Sequence, residues 1–367
     1  MKLYLDNIIF SLQRTGGISV YWSQLLKYLL MCHCDMGVLE RSDSLQNLHR
    51  RTIQLPEWLM INESTIPLQI ARYLPVLPAL EGADIFHSSY YRGPLQCGPK
   101  RVITVYDFTY EFFSSGLKRF VHGQQKRMAI RQAHGIICIS ENTMQDLLRL
   151  FPSVSEERVR VIHLGVSASY HPISADVTVP DYLCWINDIT YVIFVGDRRG
   201  YKNFNVAVQA VSMVKNYHLV IVGGSLFSRE EYKLLEQHLS TRYRHVRDMS
   251  EESLNFIYNH ALCLLYPSSY EGFGLPPLEA MRAGCPVVAM NSSSLYEVCG
   301  EAGLLANAPE PDLFVSMMLS LEQTSFRQEM VSKGYKQALK FTWEATCKKT
   351  MDFYQVLASD SRRDTQV

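Results

Sequence analysis

Two glutamates, Glu271 and Glu279, stand eight positions apart around a run rich in glycine and proline, Gly272-Phe273-Gly274-Leu275-Pro276-Pro277-Leu278. Ionised carboxylates only accept hydrogen bonds and would repel a phosphate, so their natural partners are hydroxyl-rich groups, a sugar or a ribose. The run follows the apolar stretch ALCLLYP directly. A proline at 276 or 277 suits the first turn of a helix, where its missing N–H costs little. The glycines therefore fall in a strand-to-helix loop. There the backbone can approach a ligand closely, and the N–H groups of the following helix favour phosphate. A plain turn, with one exposed glutamate and one placed by the helix dipole, would use the same residue types.

A second cluster, Gly196-Asp197-Arg198-Arg199-Gly200-Tyr201-Lys202-Asn203, follows the apolar run YVIFV. Three cations in one turn repel each other unless they face solvent or an anion. A diphosphate would take arginine as a planar fork and lysine as a point charge. Asn203 is placed to cap the next helix. Gly16 and Gly17 open another helix pattern after the first strand, which reads equally as a ligand loop and as a tight turn. Asp107 lies just past the run VITV, as a ligand contact, a cap or a turn residue. No GxGxxG and no GxxxxGK[ST] occurs, which leaves nucleotide binding of the dehydrogenase or P-loop kind unsupported. No Asp-x-Asp pair suited to Mg²⁺ stands at a strand end, and no cysteine or histidine group has zinc spacing.

These residues need elements to position them, and the chain supplies a regular alternation. Strands are expected at 83–87, 102–105, 136–139 and 159–162, and again at 191–195, 219–222, 261–266 and 286–289. Their runs are continuously apolar, as in parallel strands buried on both faces. Helical spacing is expected over 17–30, 141–150, 203–214, 230–239 and 251–258. Strand–helix alternation through both halves predicts two doubly wound α/β domains, in keeping with 367 residues. The Ser-, Pro- and Asp-rich stretch 165–182 reads as their linker, and 359–367 as a polar, fraying tail.

Thirty-six Lys and Arg balance thirty-six Asp and Glu, which argues against a nucleic-acid binder. The balance hides a split: 18 basic and 14 acidic residues in 1–175, against 18 and 22 in 176–367. Lys100, Arg101, Lys118, Arg119, Lys126, Arg127 and Arg131 concentrate the positive half, either as a solvated helix face or as a surface for anionic lipid or a phosphate-bearing acceptor. Nine scattered cysteines, without a signal-peptide pattern at the start, point to a reducing, cytoplasmic setting. No run reaches the roughly 18–20 apolar residues of a membrane span.

In this order the pieces resemble the retaining nucleotide-sugar glycosyltransferases of family GT4, nearest to the bacterial polysaccharide mannosyltransferases. VGDRRGYKN is similar to that family's diphosphate loop. Glu271 and Glu279 match its E-x7-E motif, Gly16-Gly17 its first-domain loop, and IICISENTMQDL with RVRVIHLGV the end of its first domain. The resemblance implies the GT-B architecture, two Rossmann-like domains facing a central cleft. The first would be an acceptor-side domain at 1–172 and the second a donor-binding domain at 173–342. A helix at 343–358 would cross back to the first, before the tail 359–367. It implies that Arg198 and Lys202 hold the donor diphosphate, that Glu271 bonds the sugar and that Glu279 bonds the ribose. Amides at Phe273, Gly274 and Leu275 would contact phosphate or sugar, Gly16 and Gly17 would approach the donor, and the base would lie beside 247–250. Asp107 is carried over as catalytic, but Tyr106 stands where the family has histidine.

The implied activity is transfer of a hexose, mannose before others, from GDP-mannose or a UDP-hexose to a growing O-antigen or capsule glycan. No metal cofactor is expected, because Arg198 and Lys202 can neutralise the leaving diphosphate. The acceptor would be linked to a polyprenyl diphosphate, and the enzyme would touch an anionic membrane peripherally. A nucleotide-sugar-binding protein without transfer activity, a nucleotide-sugar epimerase and a phosphorylase are the alternatives.

Overall fold

The computed structural model describes residues 1–63, 66–95, 98–174 and 177–364, with backbone alone at 117–119 and 360–364. Cys97, the side chains of Lys118 and Arg119, and the last three residues of the expected tail lie outside the described residues. The chain divides into two compact units, Met1–Gly165 with Trp343–Val367, and Val166–Thr342.

The first unit holds seven strands: β1 (Leu3–Asp6), β2 (Met36–Glu40), β3 (Met60–Asn62), β4 (Ile85–Ser88), β5 (Lys100–Val105), β6 (Gly135–Cys138) and β7 (Val159–Val161). They lie in the order β3-β2-β1-β4-β5-β6-β7 and every pairing is parallel. The second unit holds β8 (Thr190–Val195), β9 (Tyr217–Val222), β10 (Tyr243–Val246), β11 (Leu264–Tyr266), β12 (Val287–Met290) and β13 (Gly303–Ala306), again all parallel, in the order β10-β9-β8-β11-β12-β13. Helices join successive strands, as parallel pairing requires. The central strands are buried along their length, which accounts for the continuous apolar runs. The mixed or short stretches that form β2, β3 and β13 lack such runs, and the sequence does not announce them.

In each sheet the strand order reverses once, between β1 and β4 in the first unit and between β8 and β11 in the second. At such a reversal the connecting helices leave to opposite faces, so a crevice opens at the carboxyl ends of the two strands.

Two boundaries differ from expectation. The division falls at Gly165/Val166 and not at 172/173. The residues read as linker are wired into the second unit: Val166 N–H donates to Phe341 O at 3.2 Å, and the amides of His171 and Ile173 donate to the side chains of Asn255 and Asn259 at 3.0 and 2.8 Å. The last helix runs Trp343–Asp364, through the segment expected to fray.

That helix belongs to the first unit. The Tyr354 hydroxyl lies 2.5 Å from Nδ1 of His87 on β4, whose Nε2 lies 3.0 Å from Thr104 Oγ1 on β5. Burial pushes the His87 imidazole down to about 3, so it stays neutral and needs both partners. Gly135 lets the helix sit close, since a Cβ there would stand 2.5 Å from Leu357 Cδ1 and 2.8 Å from Phe353 Cζ. Tyr354→Phe leaves a buried ring nitrogen unpaired, so urea unfolding is expected to show a loss of about 1–3 kcal/mol. An unchanged midpoint would mean that this bond does not anchor the helix.

Candidate active site at the strand-order reversal of the second unit

The loops after β8 and β11 are neighbours because the strands are. Asn203 does not cap the next helix with its side chain. Its backbone is left-handed, φ 51°, and its amide donates across to Pro267 O at 2.8 Å and to Ser269 Oγ at 2.7 Å. Ser269 N–H returns a bond to Tyr201 O at 2.8 Å. So stitched, the loops bring Lys202 Nζ to 2.6 Å from Glu271 Oε1 and 3.1 Å from the Tyr266 hydroxyl. Both side chains of the pair are mostly buried, 11% and 13% exposed. Burial pulls the lysine pKa down, but the charge and hydrogen bond of Glu271 together with Tyr201 and Asp197 outweigh it and the net shift is upward, so Lys202 is a held cation.

The Glu271 loop rests on the segment after β12. Ser293 Oγ accepts from Glu271 N–H at 2.8 Å, and Ser294 Oγ donates to the carbonyls of Glu271 and Phe273 at 2.9 and 2.7 Å. Ser292 Oγ donates to Ser268 O at 2.8 Å. The sequence reading missed these serines, although three consecutive serines at the end of the strand run PVVAM were a visible signal. Gly274 takes φ 119° and opens the helix Leu275–Ala283. Because Pro276 and Pro277 lack N–H groups, Gly274 and Leu275 are the amides this helix start can offer a ligand.

Glu279 lies one turn into that helix and is half-buried, accepting from the Tyr258 hydroxyl at 3.2 Å. Desolvation raises its carboxyl to about 7; the tyrosine bond opposes this and Glu251 adds to it.

Arg198 is placed differently from the expected diphosphate ligand. Its guanidinium is 2% exposed and paired with Glu231, Nε to Oε1 at 2.7 Å. Nη2 donates to Ser225 O at 2.6 Å, and the group lies over the Phe227 ring at 4.6 Å. A Cβ at Gly224 would stand 2.5 Å from Arg198 Nη1, so the glycine makes room for this clamp on the loop after β9. The segment expected beside the base, 247–250, follows β10, and Ser250 caps the helix Glu251–His260.

In the first unit, Asp107 Oδ1 accepts from Thr109 N–H at 2.9 Å, shaping the turn after β5. The Tyr106 hydroxyl is buried and donates to Ser89 O at 3.2 Å, so it does not stand in for a titrating histidine. Gly16 and Gly17 start the helix Gly17–Met31. A histidine overlooked in the sequence, His122, lies stacked on Tyr110 at 4.0 Å and 2.7 Å from the Tyr90 hydroxyl. Desolvation and the charge of Lys126 hold it down to about 4. Lys126 is not part of a solvated face: it is buried, bonded to Asp107 O and to Glu111 Oε2 at 2.8 Å each. Among the described residues no group of three His, Cys, Asp or Glu could hold a metal ion.

Known proteins share this organisation. The model described as Glycosyl transferases group 1 matches residues 186–337, and Glycosyltransferase Family 4 matches residues 15–170. O-antigen chain mannosyltransferase B of Escherichia coli is 31% identical over 234 residues, 60% of each chain. O-antigen chain mannosyltransferase RfbU of Salmonella typhimurium is 24% identical over 231 residues, 61% of each. The match thus spans about 60% of the length of these curated relatives. Among solved structures, sucrose-phosphate synthase from Thermosynechococcus elongatus superposes with a TM-score of 0.79 at 19% identity, covering 98% of this chain and 100% of that one. Anabaena HepE in complex with UDP-glucose gives 0.72 at 15%, covering 97% and 100%. Two parallel-sheet units of this kind make up the GT-B fold, and the two family models together take in most of the sequence. By these matches the chain carries a Glycosyltransferase Family 4 region followed by a Glycosyl transferases group 1 region, on the GT-B fold.

Proposed function

We propose that this protein transfers a hexose, mannose before others, from a nucleoside diphosphate sugar to a growing O-antigen-type glycan, with retention at the anomeric carbon and without a metal ion. The observation that carries the reading is the Lys202–Glu271 pair at the reversal between β8 and β11. Departure of a nucleoside diphosphate builds negative charge on oxygen, and a cation held in place beforehand stabilises it without reorganising. Lys202 takes that role. Glu271 accepts from hydroxyls of the donor sugar, and the amides of Phe273, Gly274 and Leu275 face phosphate or sugar. Arg198 shapes the floor of the site through Glu231 and the loop after β9. In the first unit, Gly16 and Gly17 are assigned to donor binding and Asp107 to catalysis, as the family resemblance implies. The mannosyltransferase names of the relatives support GDP-mannose, and the HepE complex keeps UDP-glucose in the test.

Glu279 is assigned to the ribose hydroxyls, and its ionisation makes the assignment measurable. A carboxyl raised to about 7 in the fold is neutral below that pH, and its stabilising contribution is lost as pH rises through about 7. Glu279→Gln removes this dependence. In thermal melts without ligand, the variant is expected to gain on the wild type between pH 6 and pH 8. It is also expected to lose the stabilisation that GDP-mannose gives. Parallel melting curves across that pH range would refute the shifted carboxyl.

For Lys202→Ala, transfer from GDP-mannose is expected to fall by about 10²-fold or more. Donors are compared first by thermal shift with GDP-mannose, UDP-glucose and a dTDP-hexose. Wild-type transfer by the lysine variant would remove this site from the chemistry.

A lipid-linked acceptor at an anionic membrane is the last part of the reading. No helix among the described residues is long and apolar enough to cross a membrane. The helix Gly116–Gln132 and the short helix before it, Thr109–Phe113, expose Phe113, Phe120 and Met128 by 49%, 63% and 61%, beside exposed Arg127 and Arg131. Apolar side chains flanked by cations suit a headgroup layer. Flotation with phosphatidylglycerol vesicles is expected at low salt, weakened by high salt and by Phe120→Ser with Arg131→Glu. Absence of flotation at low salt would dismiss the membrane contact.

A further inference from the structure

Left-handed backbone marks places where a loop is held against the ordinary preference of its side chains. The carboxyl edge of the second sheet has several such positions. Gly196 and Gly274 take φ of 120° and 119°, and Asn203 and Asp248 take 51° and 53°. Glycine has no Cβ to clash there, and asparagine and aspartate tolerate the region better than most side chains. Ser293, at φ 46°, is of neither kind. It lies in the loop after β12, beside the loop that carries Glu271. A residue in a sparsely populated region persists only where its surroundings over-determine it, and such residues gather at functional sites.

What over-determines Ser293 is a pair of bonds to one residue. Its Oγ accepts from Glu271 N–H at 2.8 Å, and Ser294 Oγ donates to Glu271 O at 2.9 Å. Two neighbouring hydroxyls thus hold both ends of a single residue. The backbone changes hand between them, from φ 46° at Ser293 to φ −74° at Ser294. Ser292 Oγ, on the other side, reaches Ser268 O at 2.8 Å. Glycine at 293 would take the same φ without strain, but it would leave the Glu271 amide without this acceptor. The Glu271 side chain leaves from the backbone so held, and its Oε1 stands 2.6 Å from Lys202 Nζ. An amide released from Ser293 would carry the carboxylate with it. A displacement of about 1 Å at a reacting centre can cost about a hundredfold in rate.

We propose that Ser293 is a positioning residue: its hydroxyl fixes the Glu271 amide, and so the carboxylate opposite Lys202, and the strained backbone is retained for that bond. Its effect on transfer rests on the transferase reading; its effect on the loop does not. The test uses the full chain and three substitutions, Ser293→Gly, Ser293→Ala and Ser293→Thr. The first relieves the backbone and removes the hydroxyl, the second removes the hydroxyl alone, and the third keeps the hydroxyl on a β-branched side chain ill suited to positive φ. S293G is expected to melt about 2–4 °C above S293A, and S293T below the wild type. Amide hydrogen exchange over residues 268–274 is expected to quicken roughly three- to tenfold in S293G and S293A, with protection restored in S293T. For transfer from GDP-mannose, kcat is expected to fall about tenfold or more in S293G and S293A while the donor KM changes by less than about threefold, and S293T recovers most of the loss. Exchange and transfer then follow the hydroxyl and run against the order of melting. The proposal is overturned if both follow the melting order, or if S293G exchanges and transfers like the wild type. A wild type that transfers from no nucleotide sugar would refute the transferase reading, and exchange alone would then decide: faster in S293G and restored in S293T supports the hold on Glu271, and unchanged in S293G overturns it.

Discussion

A lysine ammonium 2.6 Å from a glutamate, both largely withdrawn from water, is costly to assemble unless the backbone brings the two charges together. Here it does so through sheet topology. β8 and β11 lie side by side in one parallel sheet, so the loops that carry Lys202 and Glu271 leave adjacent carboxyl ends. Asn203 and Ser269 lock one loop to the other, and the serines after β12 hold the second from beneath. The chemistry of the second unit depends on that geometry. A cation kept in place by a carboxylate gains a stronger claim on phosphate when the carboxylate turns to a sugar hydroxyl.

Arg198 is held by the loops of its own unit. Its planar fork satisfies Glu231 and a loop carbonyl, while its face lies on Phe227. Lysine could not copy that geometry, and a Cβ at Gly224 would obstruct it. Two of the three cations of this motif are thus placed differently: Arg198 holds the loop after β9, and Lys202 stands at the reversal.

The two sheets handle charge differently. Around the reversal in the second unit, Lys202 is partly accessible and Glu279 is held near neutrality by its surroundings. Near the reversal in the first unit, Asp6, Glu63 and Arg92 form a closed set whose side chains are almost wholly buried. Both use the carboxyl edge, because parallel strands send all their following loops there.

Much of this was legible in the chain. Continuous apolar runs such as YVIFV and PVVAM announce doubly covered parallel strands, and the spacing of Glu271, the two glycines, the two prolines and Glu279 announces a strand-to-helix loop. Residue types alone pointed to phosphate and hydroxyl recognition. The pairing of Lys202 with Glu271, 69 positions on, was not legible, because it depends on which strands become neighbours. Nor was the placement of Arg198, whose partner Glu231 lies on a helix 33 positions away. The expected linker and tail failed for the same reason. Local composition reads as irregular at 166–173 and polar at 359–364, but backbone bonds to Asn255 and Asn259 and the continuing helix override it. Sequence determined the elements and the kinds of group they carry, since periodicity and turn chemistry are local. Tertiary structure alone decided which groups meet, since strand order and burial are set by packing between segments far apart in the chain.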